Sequence, residues 1–462
     1  MSECLAVIGA VSIQDYIFRS NRLREQVAAS RKITEALALD QWGGRALFVG
    51  GGNAVVRFPS LEYAKRHVHE WSRGQLADSP GLRFSVGYSE IASEDNGYYE
   101  ALRERQACEE FPPGGGEPGA FPICVTCPST GLAATTTARD DQKRPLSAEA
   151  ASKRMMGMRP ELDRYRDRLS GWEFPLDLDQ LGATEGASQV AIVHADGNNF
   201  GDLVREALEQ EGLVALRQLS EELTRIGRQT WNELIGGLRI QAERWDSEKR
   251  LALKQSGNAG FFMPIRPIVD GGDDATWVCA GKIGVATAAK YLQIFEQQAR
   301  NAGKGNLTAC AGVAIVPKGY PFSRAYALAA ELCKSAKRRS REESGLDFHI
   351  VLGGSTQALE DLRPSTSVYG RYSARPLRLH GEWEAVEAAI NHFQQEWPRS
   401  RAKSLLQGFG RNSPGDEIAL HQHRGYAQPQ GTTEKQVFDA LELLDFHLPW
   451  NQEGRDATTA TN

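Results

Sequence analysis

Asp196, Asp273 and Asp274 are the residues of this sequence best suited to act on a substrate together. Asp196 closes the apolar run Val190–Ala195, which reads as a buried strand, and the other two end the string Gly271-Gly272-Asp273-Asp274, which reads as a hairpin tip. Neighbouring strands lie about 4.8 Å apart, so a carboxylate at a strand end and a pair on the next hairpin meet on one edge of a sheet. Three carboxylates gathered there repel one another unless hard divalent cations neutralise them, and oxygen donors suit Mg²⁺ or Mn²⁺, which also bind nucleotide phosphates. Two such ions, about 3.5 to 4 Å apart, would activate a hydroxyl and stabilise a departing pyrophosphate in an in-line displacement. Gly271 and Gly272 serve differently, by permitting a tight turn with φ > 0 and letting a triphosphate approach the backbone closely.

The same string is also a good hairpin turn with no chemistry attached. What separates the two readings is an internal duplication. Strand Leu5–Val11, helix Arg22–Leu39, two strands within Ala46–Phe58 around Gly50-Gly51-Gly52-Asn53, helix Leu61–Leu76 and strand Leu82–Ser89 form one series. Strand Val190–Ala195, helix Asn199–Glu211, hairpin Ile265–Cys279, helix Gly284–Asn301 and strand Thr308–Val316 form the other. Both read βαββαβ. Aligned without gaps, Val7–Val11 stands against Ile192–Asp196 and GGGNA against GGDDA, so Val11, Gly52 and Asn53 face Asp196, Asp273 and Asp274. A turn needs no such asymmetry, whereas one working and one degenerate copy explains it. The second copy is about 36 residues longer between these points, and the helical block Leu213–Trp245 supplies them.

The expected class is α+β, with a degenerate palm over 1–105, a linker over 106–187, a catalytic palm over 188–360 with a helical insertion at 205–250, a helical domain over 361–452 and a disordered tail over 453–462. The Pro- and Gly-rich stretch Phe111–Ala120 predicts an exposed loop. Trp383, Val386, Ile390, Phe393 and Trp397 fall on one helical stripe that Pro398 ends. With 462 residues, 54 basic against 59 acidic and a formal charge of −5, the chain lacks the overall positive field of a sequence-independent nucleic-acid binder. Seven cysteines make no disulfide framework, the N-terminus lacks a signal peptide's basic flank, and no apolar stretch suits a membrane span, so a cytoplasmic location is expected.

Taken together, Val11–Ile17 with the basic helix through Ala28-Ala29-Ser30-Arg31-Lys32, the degenerate GGGN, Cys124-Val125-Thr126-Cys127, His194–Gly201, Gly271–Asp274 and the helix Pro321–Lys337 resemble the palm-domain large subunit of type III CRISPR systems, the Cas-ten polymerase/cyclase family. The likeness covers most of the chain. It implies two ferredoxin-like palms, the second joining ATP 3′ to 5′ into cyclic oligoadenylate messengers in antiviral defence. It also implies that Asp196, Asp273 and Asp274 are catalytic and hold two Mg²⁺ or Mn²⁺ ions, and that Gly197, Asn199, Gly271, Gly272 and Lys337 contact the nucleotide, Lys337 at the triphosphate. Asn199 would touch a ribose or cap the following helix.

The departures are as informative. The palm-like strand begins at Leu5, so the histidine-aspartate nuclease domain of many relatives, and its DNase activity, are not expected. Asn198 stands where many relatives carry a second Asp. Cys124 and Cys127 are the candidate zinc ligands, but a structural zinc takes four, and a vestigial knuckle is the equal alternative. His67, His69, His421 and His423 read as surface histidines. Two other functions remain open. One is a scaffold holding CRISPR RNA and type III effector subunits, and the other is a cyclic dinucleotide synthase, which Ala275 after the aspartates disfavours. A second copy of the chain is a further candidate partner.

Overall fold

The computed structural model describes residues 2–90, 94–110, 123–138, 143–156, 165–182, 189–257, 260–272, 274–339, 341–353 and 359–450. Phe111–Ala120, Asp273 and the 453–462 tail, on which three expectations fall, therefore lie outside the described residues. The chain divides into two compact units: Met1–Arg164 with Asn199–Arg225 and Pro321–Ser323, and Tyr165–Asn198 with Ile226–Tyr320 and Arg324–Asn462.

In the first unit β1 (Cys4–Val11), β2 (Ala46–Gly50), β3 (Asn53–Phe58) and β4 (Arg83–Glu90) form an antiparallel sheet of order β2-β3-β1-β4. Helices α1 (Leu23–Ala36) and α2 (Leu61–Asp78) connect its strands, and α3 (Glu94–Glu110) follows β4. Ser60 starts α2 by accepting a hydrogen bond from the Tyr63 amide at 3.2 Å. Leu5, Val7 and Val55 pack against Tyr98 and Ala101 of α3 and against Leu208, Leu213 and Leu216. In α4 (Ala148–Met156) Lys153 is wholly buried, paired with Glu149 at 2.5 Å and lying 3.8 Å from the Tyr16 ring centre. The expected boundary at 105 falls inside α3, and the expected insertion at 205–250 is a helix, α5 (Phe200–Ser247), that breaks at Gly212 (φ 66°, ψ −146°).

In the second unit β5 (Gln189–Gly197), β6 (Ile265–Asp270), β7 (Asp274–Ala280), β8 (Ala309–Pro317), β9 (Gly345–Ile350) and β10 (Leu377–Arg378) form a sheet of order β10-β9-β8-β5-β7-β6. The pair β8 and β9 is parallel and the others antiparallel. Helices α6 (Gly284–Asn301) and α7 (Phe322–Arg339) complete the second βαββαβ motif and its trailing helix. Its core is aromatic: the Trp277 ring lies 5.3 Å from that of Trp231 and 5.1 Å from that of Tyr291.

The two sheets share one order of four strands, and their registers give the correspondence between copies residue by residue. Asn53 pairs with Gly9, whereas Asp274 pairs with Asp196. Gly87 pairs with Val7, and Gly312 with His194. Non-glycine residues with φ of 52° and 59°, Ser12 and Asn199, stand three positions after Gly9 and Asp196. Gly9, and not Val11, is therefore the counterpart of Asp196. A strand shifted by two residues keeps the same face inward, so an ungapped match of apolar runs does not detect the slip.

Gly87 and Gly312 also show that α3 and α7 correspond. A Cβ on Gly87 would strike the carbonyl of Ala101, and one on Gly312 would strike the carbonyl of Ala329 and the amide of Cys333. Helix backbone thus lies directly on strand backbone. Gly312→Ala is expected to cost about 3 kcal/mol, by forcing α7 off the sheet. Urea denaturation followed by circular dichroism would measure it; an unchanged midpoint would mean that α7 is not held this closely.

Beyond β9 the chain forms α8 (Glu384–Glu396), α9 (Arg399–Gly410), α10 (Pro414–His423) and α11 (Glu434–Leu443). The stripe Trp383, Val386, Ile390, Phe393 and Trp397 is buried throughout. Arg375, itself buried, joins the palm sheet to these helices: its guanidinium meets Asp439 at 3.0 Å, Glu442, and the Phe348 carbonyl at 2.9 Å. The expectation that the paired histidines lie on the surface is corrected for two of the four. His421 is fully buried against Trp397 and Tyr426, and His67 packs on Trp42, Phe58 and Tyr63. Their i,i+2 spacing sends only one of each pair outward on a helix.

His349 on β9 is buried, and burial together with the nearby Arg363 and Arg375 pushes its pKa down to about 3. The folded state thus holds the neutral ring, while the unfolded chain takes up a proton near pH 6.5. Its stabilisation is complete above pH 6.5 and falls by about 1.4 kcal/mol per pH unit as the pH drops from there towards 3. Chemical denaturation across that window should show the slope, and His349→Gln should make it shallower by that amount.

Candidate active site

The end of β5 and the start of β7 bring two of the three expected carboxylates together. Asp196 and Asp274 are direct cross-strand partners, so their side chains leave the same face of the sheet. Both remain substantially exposed, each with 40% of its side chain accessible. From α7, Lys337 reaches Asp196 Oδ2 at 2.6 Å and donates to the Gly197 carbonyl at 2.7 Å. Lys337 thus already places one positive charge on the carboxylate pair. Asp273 lies outside the described residues, and among those described no group of three His, Cys, Asp or Glu residues stands close enough to hold a metal.

Beneath the carboxylates, His194 and Thr276 form the next cross-strand pair on the same face. The Nδ1 atom of His194 lies 3.1 Å from Thr276 Oγ1 and 3.4 Å from Asp274 Oδ1. Burial pulls the His194 pKa down to about 4, with Asp196 opposing and Lys337 and Lys334 assisting, so the ring is neutral at physiological pH. It meets the Tyr326 ring edge-on at 5.5 Å, and burial with Asp274, Cys333 and Asp196 nearby raises the Tyr326 hydroxyl above its ordinary range. His194, Thr276 and Tyr326 are the residues that sequence reasoning passed over. The signal was present: a histidine two places before Asp196, in an otherwise apolar strand, shares its face.

Several expected nucleotide contacts have defined places. Gly197 ends β5 with its carbonyl bound to Lys337, and Asn199 takes the left-handed conformation just before α5. Gly271 does not adopt the expected positive φ; a Cβ there would come within 2.9 Å of the Asp274 carbonyl, so close backbone approach is the reason for glycine. The hairpin is also covered: a Cβ on Gly227 of α5 would lie 3.0 Å from the Gly271 carbonyl and 3.2 Å from Gly272 Cα. Asn198 is buried, donating to Thr308 Oγ1 at 2.9 Å and the Glu343 carbonyl at 3.3 Å.

The first unit presents the same place with opposite contents. Arg105 of α3 lies over Gly9, where an added Cβ would strike it, and donates to Asn53 Oδ1 at 2.8 Å. Glu109, the counterpart of Lys337, lies 3.2 Å from Arg105 and accepts from Ser85 at 2.7 Å. A guanidinium occupies the space that two carboxylates border in the other copy.

Cys124 is exposed and Cys127 buried, in a small loop closed by Cys127 N–H to the Leu132 carbonyl and Ala134 N–H to the Val125 carbonyl, both 2.8 Å. Burial raises the Cys127 thiol pKa, but hydrogen bonds from the Ser147, Ser129 and Thr130 amides and the Thr130 hydroxyl leave it below the ordinary value. Among the described residues no further His, Cys, Asp or Glu joins the pair, and a structural zinc takes four ligands.

Residues 189–344 match the family model "Cas10/Cmr2, second palm domain". No curated protein matches the chain. Solved structures do, at low identity: the "Csm1-Csm4 cassette in complex with AMPPNP" at TM-score 0.51 and 14% identity, over 96% of this chain and 69% of that one. The "apo Csm1-Csm4 cassette" matches at 0.52 and 13%, over 96% and 70%, and the cassette "in complex with cA4" at 0.50 and 14%, over 96% and 70%. At such identity the likeness speaks for the fold. Every described residue of the carboxylate site falls within 189–344, the segment that matches the second palm domain of the Cas10/Cmr2 family.

Proposed function

We propose that the protein is a metal-dependent nucleotidyltransferase that joins ATP 3′ to 5′ into a cyclic oligoadenylate or a related cyclic nucleotide, as an antiviral signal of the CRISPR type. The observation that carries this reading is the exposed Asp196–Asp274 pair in one palm, against Gly9 and Asn53 under Arg105 in the other. It is supported by the family model over this segment and by relatives of the same fold whose structures are described with AMPPNP and with cA4.

The donor set fits hard cations: two carboxylates side by side at a sheet edge, with the Lys337 ammonium already bound to one. Asp196 and Asp274, with Asp273 from the same hairpin, would hold two Mg²⁺ or Mn²⁺ ions, which when bound polarise phosphoryl oxygens and lower the pKa of a hydroxyl. Lys337 offers a point charge to a triphosphate in exchange for its contact with Asp196. Gly197, Asn199, Gly271 and Gly272 border the nucleotide. His194, held neutral and in contact with Thr276, supports Asp274 from below without adding charge. Effector subunits and CRISPR RNA are the proposed partners, after the Csm1-Csm4 assemblies of the relatives.

The purified protein incubated with ATP and Mn²⁺ or Mg²⁺ should yield a cyclic product by mass spectrometry, and EDTA should abolish it. A protein that copurifies with small RNA and makes no product with either metal would support the scaffold instead.

A further inference from the structure

In the second unit, a cavity of about 350 Å³ opens where the end of α5, the turn before α6, the start of α9 and the segment after α11 meet. Lys249, Arg250, Lys282 and Arg399 line it against a single lining carboxylate, Asp445. Asp445 is already shared by Arg399 at 2.8 Å and Lys403 at 3.3 Å. Arg250 donates to Gln394 at 2.9 Å and lies 3.7 Å from Glu248. Among the described residues the Lys282 ammonium, half-buried, makes no hydrogen bond or ion pair. Burial lowers its pKa, Asp445 opposes the shift, and Arg399 and Arg250 add to it, so it is a cation held among cations.

Two further features point to a ligand. Lys249 has φ 58°, at the helix-end position that glycine normally takes, so a strained backbone places a lysine at the cavity rim. His447, buried in the wall, uses Nε2 on Glu387 at 3.2 Å and leaves Nδ1 without a partner. The lysine adds a cation at the opening, and the unpartnered Nδ1 offers a ligand a hydrogen-bonding atom in the wall.

We propose that this cavity binds the phosphate monoester of an organic ligand, either a free mononucleotide or the 5′-phosphorylated end of an RNA strand. A monoester carries about −1.5 to −2 charges, which matches the excess of cations better than a carboxylate does, and Arg forks with Lys point charges are the usual partners of phosphate oxygens. The volume lies within the range of small-ligand sites, about 300 to 1,000 Å³, leaving room for the group attached to the phosphate. The site is separate from the palm carboxylates and does not depend on the proposed activity.

The test uses the full chain in EDTA, with AMP and adenosine by calorimetry, and with 5′-phosphorylated and 5′-hydroxyl RNA decamers labelled at the 3′ end by anisotropy. The phosphate should strengthen binding at least tenfold in one or both pairs. Lys282→Ala and the rim variant Lys249→Ala should each remove that gain, Lys282→Arg should retain it, and Asp274→Asn should leave it unchanged. AMP alone responding identifies a small-molecule site; RNA responding more strongly identifies a strand end. Equal binding with and without the phosphate, unchanged binding in both lysine variants, or loss of the gain in Asp274→Asn would each overturn the proposal.

Discussion

Asp274→Asn is expected to leave the protein folded and to lower cyclic-nucleotide production by about 10³-fold, the scale on which a single electrostatic contact to reacting phosphate groups acts. The exchange keeps side-chain size and a hydrogen-bonding group next to His194 and Thr276, so packing at the start of β7 should survive. What is lost is a charge needed to hold cations. Asp196→Asn should act as strongly and should also free Lys337 from its 2.6 Å contact. Residues that work as one unit are not additive, so the double variant should be no worse than either single one. Mass spectrometry of the product, with circular dichroism as the check on folding, decides the matter: activity within threefold of the parent would mean that these carboxylates do not serve the reaction.

The largest structural effect should come from Arg375. Its side chain is 1% exposed and is the shared counter-ion of Asp439, 0% exposed, and Glu442, 12% exposed. Arg375→Met leaves two carboxylates in a dry interior with too little positive charge, a situation that costs about 3 to 5 kcal/mol. That corresponds to a fall of about 10 °C in the melting temperature of a unit this size. Combining Arg375→Met with Asp439→Leu and Glu442→Leu should recover most of the loss, because paired buried charges contribute little net stability over a well-packed apolar substitute. A single Arg375→Met protein melting within 2 °C of the parent would contradict the account.

Much of this architecture is legible in the chain itself. Runs such as Val190–Ala195 and the paired Gly-rich hairpins carry their own period and turn chemistry, and they fold into two sheets with one strand order in common. The stripe from Trp383 to Trp397 is equally plain. Helix α3 is not recognisable as part of the repeat, because a sequence as polar as EDNGYYEALRERQACEE shows little amphipathic pattern; its place is fixed by the contact of Ala101 and Arg105 backbone with Gly87. The two-residue slip that put Val11 opposite Asp196 comes from the strand's own period. His194 and Arg105 escape notice because both act through partners far away in sequence, Asp274 and Asn53, which only the register brings alongside.

The guanidinium above Gly9 also bears on the history of the molecule. Were Gly9 and Asn53 mutated to acids one at a time, each new carboxylate would neutralise Arg105 instead of recruiting an ion, while losing Arg105 first would leave Glu109 with only its Ser85 contact. No single step along that path restores a cation site, so selection has nothing to favour until several changes coincide. The arginine half of the duplication is held by a ratchet, and any role it takes must be built around that guanidinium.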